Sequence, residues 1–284
     1  MKFFKKYTPG LIVLLAVAIS PLFGQVGGIS GKVVYAKSGM IRVHVLGAEK
    51  YTELGQGDFA RWGPHGQKVA VKDGKIIYVV NSDGTQRIDL VTDAGGDKNC
   101  PLEFHPNGKE VLYIKNDHIM AVNIRSKATR VLVDFVDCTG EIGMATEKNR
   151  LVCRDGHTLR AIDLDTKQHT VFHDDNCSAA ISPDGNFITF NDNGNPHHLN
   201  VFIKKLSSDC RGSTPYLRIP HSVLPGEIMG DNHHWSNHPD WITCEGDKNR
   251  NGVPFMINIV TKKGYAMVNV GKTKYPDLWV DKLH

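Results

Sequence analysis

The segment Ala179–Phe190 reads AAISPDGNFITF: a short apolar run, a Ser-Pro-Asp-Gly turn, then a second β-rich run. Pro presets φ and Gly tolerates positive φ, so Pro-Asp-Gly reverses the chain tightly. Two apolar runs on either side of such a turn form a hairpin. Three other stretches repeat the arrangement: Phe59–Gly66 (FARWGPHG), Leu102–Gly108 (LEFHPNG) and His233–Asp240 (HHWSNHPD). Each is followed by another strand-like run, at Lys68–Val71, Glu110–Ile114 and Trp241–Cys244. A degenerate copy, IGMATEKNRLVC, covers Ile142–Cys153.

The repeat spans 42 residues from Trp62 to Phe104 and 44 from Trp235 to Trp279. A period of about 40–50 residues built from four short strands is a propeller blade, since one blade cannot bury both faces alone. In the second blade Lys75–Val80 and Thr85–Val91 supply the outer strands, with the hairpin turn Asp83-Gly84 between them. Residues 31–56 give three strands with no Pro-turn strand before them, and residues 277–281 (DLWVD) give one strand with nothing after it. Joining them completes a sixth blade and removes an exposed sheet edge. The sequence therefore predicts an all-β chain: a single six-bladed β-propeller over residues 26–284, closed by its C-terminal strand.

The Ser182-Pro183-Asp184-Gly185 turn and its repeat resemble the TolB-type six-bladed propeller, whose repeat carries this turn. The other blades depart from it, with Gly-Pro-His-Gly, His-Pro-Asn-Gly and Ser-Asn-His-Pro-Asp. The resemblance implies the fold, and a periplasmic or secreted binding protein. Some related propellers are carbohydrate-active enzymes, and function belongs to the site rather than the fold.

Residues 1–25 have the form of a signal peptide: Lys2, Lys5 and Lys6, then an apolar run from Leu11 to Phe23 broken only by Ser20 and Pro21. The run is shorter than the about 20 residues a membrane span needs. Removing it takes the formal charge from +4 to +1, because it holds three Lys and no acid. No long basic run remains, so nucleic acid is not an expected partner. All six cysteines lie beyond residue 25, and an exported chain permits disulfides. Their placement predicts at least one pair among Cys100, Cys138 and Cys177. No CxxC, CxxCH, HExxH or GxSxG occurs, which argues against a zinc knuckle, covalent haem, a zincin or a serine hydrolase.

The Pro turns lie at one end of the ring. The loops that lead into each inner strand lie at the other, and they are rich in polar groups. Glu141, Asp175, Asn176, Asp231, Asn232, His233 and His234, with His197 and His198 from the preceding blade, are the candidate ligand-binding residues. His233 or His234 is expected to meet His197 or His198 near the channel mouth. Asp247, Asn249 and Asn251, followed by Gly252, match the first half of a calcium loop. Asn258 stands where a complete loop needs Glu, so only a partial site with weak Ca2+ affinity is expected. A scaffold without a convincing catalytic constellation points to an exported module that binds a protein or glycan on the polar loops. The alternative is a metal-assisted carbohydrate lyase or hydrolase at the channel mouth, with those acids and histidines as its machinery.

Overall fold

A computed structural model of the chain describes residues 25–95, 101–134, 141–155, 158–172, 176–192, 200–225, 230–246 and 252–283. Strands β1 (Gln25–Val26), β2 (Ile29–Lys37), β3 (Met40–Val45) and β4 (Tyr51–Gln56) belong to blade 1. Blade 2 holds β5 (Phe59–Trp62), β6 (Lys68–Asp73), β7 (Ile76–Asn81) and β8 (Ile88–Val91). Blade 3 holds β9 (Leu102–Phe104), β10 (Glu110–Lys115), β11 (His118–Asn123) and β12 (Thr129–Val133). Blade 4 follows with β13 (Ile142–Met144), β14 (Arg150–Asp155), β15 (Thr158–Asp163) and β16 (His169–Phe172). Blade 5 is β17 (Asn176–Ile181), β18 (Phe187–Asp192), β19 (Asn200–Leu206) and β20 (Ser213–Pro220). Blade 6 is β21 (Gly230–Trp235), β22 (Trp241–Gly246), β23 (Val253–Asn258) and β24 (Lys263–Ala266). The last strand, β25 (Lys274–Leu283), returns to blade 1.

Each sheet is an antiparallel meander, and β25 pairs with β2 to close the ring. Lys32 faces Trp279, Val33 faces Leu278 and Val34 faces Asp277, the pairing expected from the two incomplete ends. The contact is longer than the sequence suggested, because β25 runs from Lys274 to Leu283. The short β1 adds to β2 beside it, and no sequence pattern had marked it.

Six apolar cores lie one between each pair of neighbouring blades. The sequence of β6, KVAVKD, shows how one strand serves two of them. Val69 and Val71 pack toward blade 1, while Ala70 packs toward blade 3. Successive side chains point to opposite sheet faces, so a strand buried on both faces needs a nearly continuous apolar run. The Pro turns close as their composition demands. Gly66, Gly108 and Gly185 have φ of +63°, +64° and +67°. Each donates its N–H back across the turn, to Gly63, His105 and Ser182 at 3.0, 2.9 and 2.9 Å. At Gly66 a Cβ would also lie 2.4 Å from the Trp279 ring.

Cys153, Cys210 and Cys244 are free, buried, and sit in three different interblade cores. Cys100, Cys138 and the Cys177 side chain lie outside the described residues, as do residues 1–24, most of the stretch expected to be a signal peptide. Among the described residues no helix is long and apolar enough to cross a membrane.

Candidate functional site

Six inner strands line the channel, and they are of two kinds. In blades 2, 3 and 4 the strands β5, β9 and β13 pair regularly with their neighbours. In blades 5, 6 and 1 the register slips: between Cys177 and Ala180, between Asp231 and His234, and where Val34–Ala36 faces Lys274–Asp277. Each slip contains a non-glycine residue at positive φ: Ser178 (60°), Asn232 (50°) and Tyr275 (51°). A bulge inserts an unpaired residue and re-aims the chain. Here it frees backbone N–H groups at the lead-in end of the channel, and carboxylates accept them.

Those acceptors form one polar layer. Glu141 takes the N–H of Ala179 at 2.6 Å. Asp231 Oδ1 accepts from Ser178 Oγ at 2.7 Å, Asn191 Nδ2 at 3.2 Å and the Asn232 N–H at 2.8 Å. Glu245 accepts from the Asn232 side-chain amide and, at 3.1 Å, from the Tyr275 N–H. Burial, then the Asp231 charge, push the Glu245 carboxyl up to about 7, against its hydrogen bonds and Lys274. Burial also raises Glu141, with Asp231 acting in the same direction and the cations Arg154 and Arg61 opposing.

A second layer lies toward the Pro-turn end. His234 Nε2 is 3.0 Å from Glu103 Oε2, and its Nδ1 is 3.0 Å from Asp277 Oδ1. Asp277 also accepts the Trp62 N–H at 2.7 Å, and Arg61 Nε stands 3.9 Å from Glu103. Four blades thus meet through one ionic cluster. Burial and Arg61 push the His234 imidazole down, but Asp277 and Glu103 on its two nitrogens prevail, and it is raised. Beyond this layer, between the Pro turns, only about 50 Å3 is open to the centres of water molecules. That space suits a few waters. At the lead-in end a cleft between blades 1 and 2 offers about 470 Å3 by the same measure.

The structure gathers some of the predicted residues and separates others. Glu141, Asp231 and Asn232 share the lead-in layer, though Asp231 and Asn232 lie inside β21 rather than in a loop before it. Asn176 opens β17. His234 faces the channel one layer deeper. His233 turns to the opposite side of β21 and meets His221, Nε2 to Nε2 at 3.2 Å, with both residues buried. Asp175, His197, His198, Asp247, Asn249 and Asn251 lie outside the described residues. Among the described residues no cluster of three or more His, Cys, Asp or Glu is arranged to hold a metal.

Sequence reasoning did not place Arg61, Glu103, Glu245, Asp277 or Tyr275 among the site residues. A signal was present. The residue before the last apolar position of the inner strand is Arg61, Glu103, Gly143, Ala180 and His234 in blades 2 to 6. Charge and small size at a strand-interior position mark a channel-facing site.

Five four-stranded blades and a sixth of five strands, closed by the C-terminal strand, define a six-bladed β-propeller, and comparison with solved structures agrees. The TolB protein of Acinetobacter baumannii is similar at TM-score 0.63 and 13% identity, over 89% of this chain and 67% of that one. A chain of a nidogen/laminin complex gives 0.64 and 11%, over 89% and 98%. The putative TolB of Agrobacterium tumefaciens gives 0.57 and 12%, over 86% and 91%. The chain has a TolB-type propeller fold. No family model matches it, and no curated protein matches it.

Proposed function

We propose that this chain is an exported binding or scaffolding propeller that holds a protein or glycan partner on its lead-in face. The observation that carries this reading is the asymmetry of the two faces of the ring. Its Pro-turn end is nearly filled by packed side chains, whereas the lead-in face carries a larger cleft between blades 1 and 2. The lead-in carboxylates Glu141, Asp231 and Glu245 each accept hydrogen bonds that hold bulges in place. A group so committed is better suited to fixing a surface than to attacking a substrate. Export is proposed from residues 1–25, and with it a periplasmic or secreted location.

A photo-crosslinker placed at exposed Asp58, on the lead-in face, tests this against one at exposed Asn107 in a Pro turn. In the cell that makes the protein, the Asp58 position should give a discrete adduct and the Asn107 position none. Adducts from Asn107 alone would reverse the assignment of faces.

One observation keeps the enzymatic alternative, a carbohydrate lyase or hydrolase: Glu245, raised to about 7, has the protonation behaviour of a general acid or base. Polysaccharide cleavage abolished in Glu245→Gln would establish it. Weak calcium binding at Asp247, Asn249 and Asn251 is also proposed. It calls for a melting temperature that rises with millimolar calcium but not magnesium, and no longer does so in Asp247→Ala.

A further inference from the structure

The lead-in cleft between blades 1 and 2 is cationic, and its chemistry differs from that of the channel beside it. Its wall is built from the end of β2 and the β2–β3 turn (Lys37, Ser38), the β4–β5 link (Asp58), and the approach to and start of β25 (Lys272, then Lys274 and Tyr275). Asp58 is the one acid in the lining, and behind the wall Lys274 also acts on the Glu245 carboxyl. Three ammonium groups around one concavity repel each other and concentrate anions.

The backbone is held unusually here. Ser38, Lys272 and Tyr275 all have positive φ, at 53°, 60° and 51°. A bulky aromatic in that region is a real outlier and persists only where its surroundings fix it. Tyr275 is fixed three ways: its N–H is accepted by Glu245 at 3.1 Å, its carbonyl accepts from Arg61 at 3.4 Å, and its ring packs on Phe59 at 4.8 Å. The bulge thereby presents Lys274 and Tyr275 to the cleft as a preset wall.

We infer that this cleft binds the phosphate monoester of a saccharide. Lysine is a compact point charge suited to phosphate, whereas a planar carboxylate is best met by the arginine fork, and no arginine lines the cleft. A phosphate monoester brings nearly two negative charges against three ammonium groups. The space, about 470 Å3, lies in the range of small-molecule sites and exceeds what a bare phosphate needs. The inference rests on the lead-in face being the binding face, and it names the ligand chemistry there.

The test is calorimetric titration of the purified protein with glucose 1-phosphate and glucose 6-phosphate, against glucose and inorganic phosphate as controls. A sugar phosphate should bind, glucose should not, and inorganic phosphate should bind more weakly than the ester. Lys37→Ala, Lys272→Ala and Lys274→Ala should each weaken binding about three- to tenfold, as expected for losing one charge-assisted contact. Raising the salt should weaken it further. Lys109→Ala, an exposed lysine on the Pro-turn side, should change nothing. Unaltered melting curves would show that the variants are folded. Absence of binding at about 10 mM sugar phosphate (two orders weaker than a 100 μM site) would overturn the inference. So would glucose binding as well as its phosphates, inorganic phosphate binding as tightly as the ester, or three lysine variants that bind like the parent. Because no partner enters this experiment, its failure would leave the crosslinking test of the lead-in face intact.

Discussion

Blades 2, 3 and 4 bring regular inner strands to the channel, while blades 5, 6 and 1 bring bulged ones with Ser178, Asn232 and Tyr275 at positive φ. The regular half is stabilised by apolar contact with neighbouring blades, as at Phe59, Leu102 and Ile142. The bulged half leaves N–H groups that the sheet cannot pair; its own half-buried Asp231 and Glu245 accept two of them, and Glu141 of the neighbouring blade 4 accepts the third. A buried polar group must be satisfied or its full desolvation cost is felt. The difference shows how a repeat can keep one packing rule around the ring and still concentrate polar chemistry on one side. The ionic cluster of His234, Glu103 and Asp277 then ties the two halves together.

The largest effect should come from removing the strand that joins those halves. Deleting the chain from Tyr275 takes away Leu278 and Val280, both buried, and opens β2 as an edge. Each buried aliphatic side chain is worth about 1.5–3 kcal/mol, and domains are stable by only about 5–15 kcal/mol. Loss of the cooperative melting transition is expected. A truncated chain that melts like the parent would separate closure from stability.

Next in size is Asp277→Ala, which leaves His234 Nδ1 and the Trp62 N–H without their partner. Breaking one side of a buried ionic cluster costs about 3–5 kcal/mol, or on the order of 10 °C in melting temperature for a chain this long. The contrast is Arg130→Ala on the outside of blade 3, where the ion pair with Glu110 is exposed on the arginine side. That pair should contribute about 1 kcal/mol or less. Equal losses for the two variants would deny the cluster its special role.

A smaller effect appears with pH. Glu245 and His234 are both raised in the folded chain. The folded state therefore holds these protons more tightly than the unfolded one, and stability falls as pH rises. For Glu245 the fall runs from its unfolded value near 4.5 through about 7. For His234 it lies above the unfolded value of 6.5. Melting temperature should decline across that first window, and Glu245→Gln should flatten the decline. An unchanged slope in the variant would move the proton to another group.

The ring was legible in the sequence because its signals are local. Ser182-Pro183-Asp184-Gly185 needs only its own dihedral demands to announce a turn, and Val69-Ala70-Val71 announces a strand buried on both faces. The unpaired runs at 31–56 and 277–281 gave closure by counting. The polar layers were legible only in part, because they depend on contacts across the ring. His234 meets Glu103 131 residues away, and Trp62 meets Asp277 across 215. Bulges were invisible too: Asn232 tolerates positive φ and hints at a turn, but nothing in Tyr275 suggests it. Neighbours His233 and His234 point to opposite faces by simple alternation, and the bulge between Asp231 and His234 sets which of the two faces the channel.

The central claim is that the bulged half buries Glu245 beside Asp231 in one coupled polar layer. Carbon-13 NMR titration of the glutamate carboxyl groups measures this directly. Glu245 should titrate near pH 7, above the ordinary glutamate range, and that signal should be absent in Glu245→Gln. A Glu245 that titrates between about 4 and 5, as glutamates in water do, would contradict the claim.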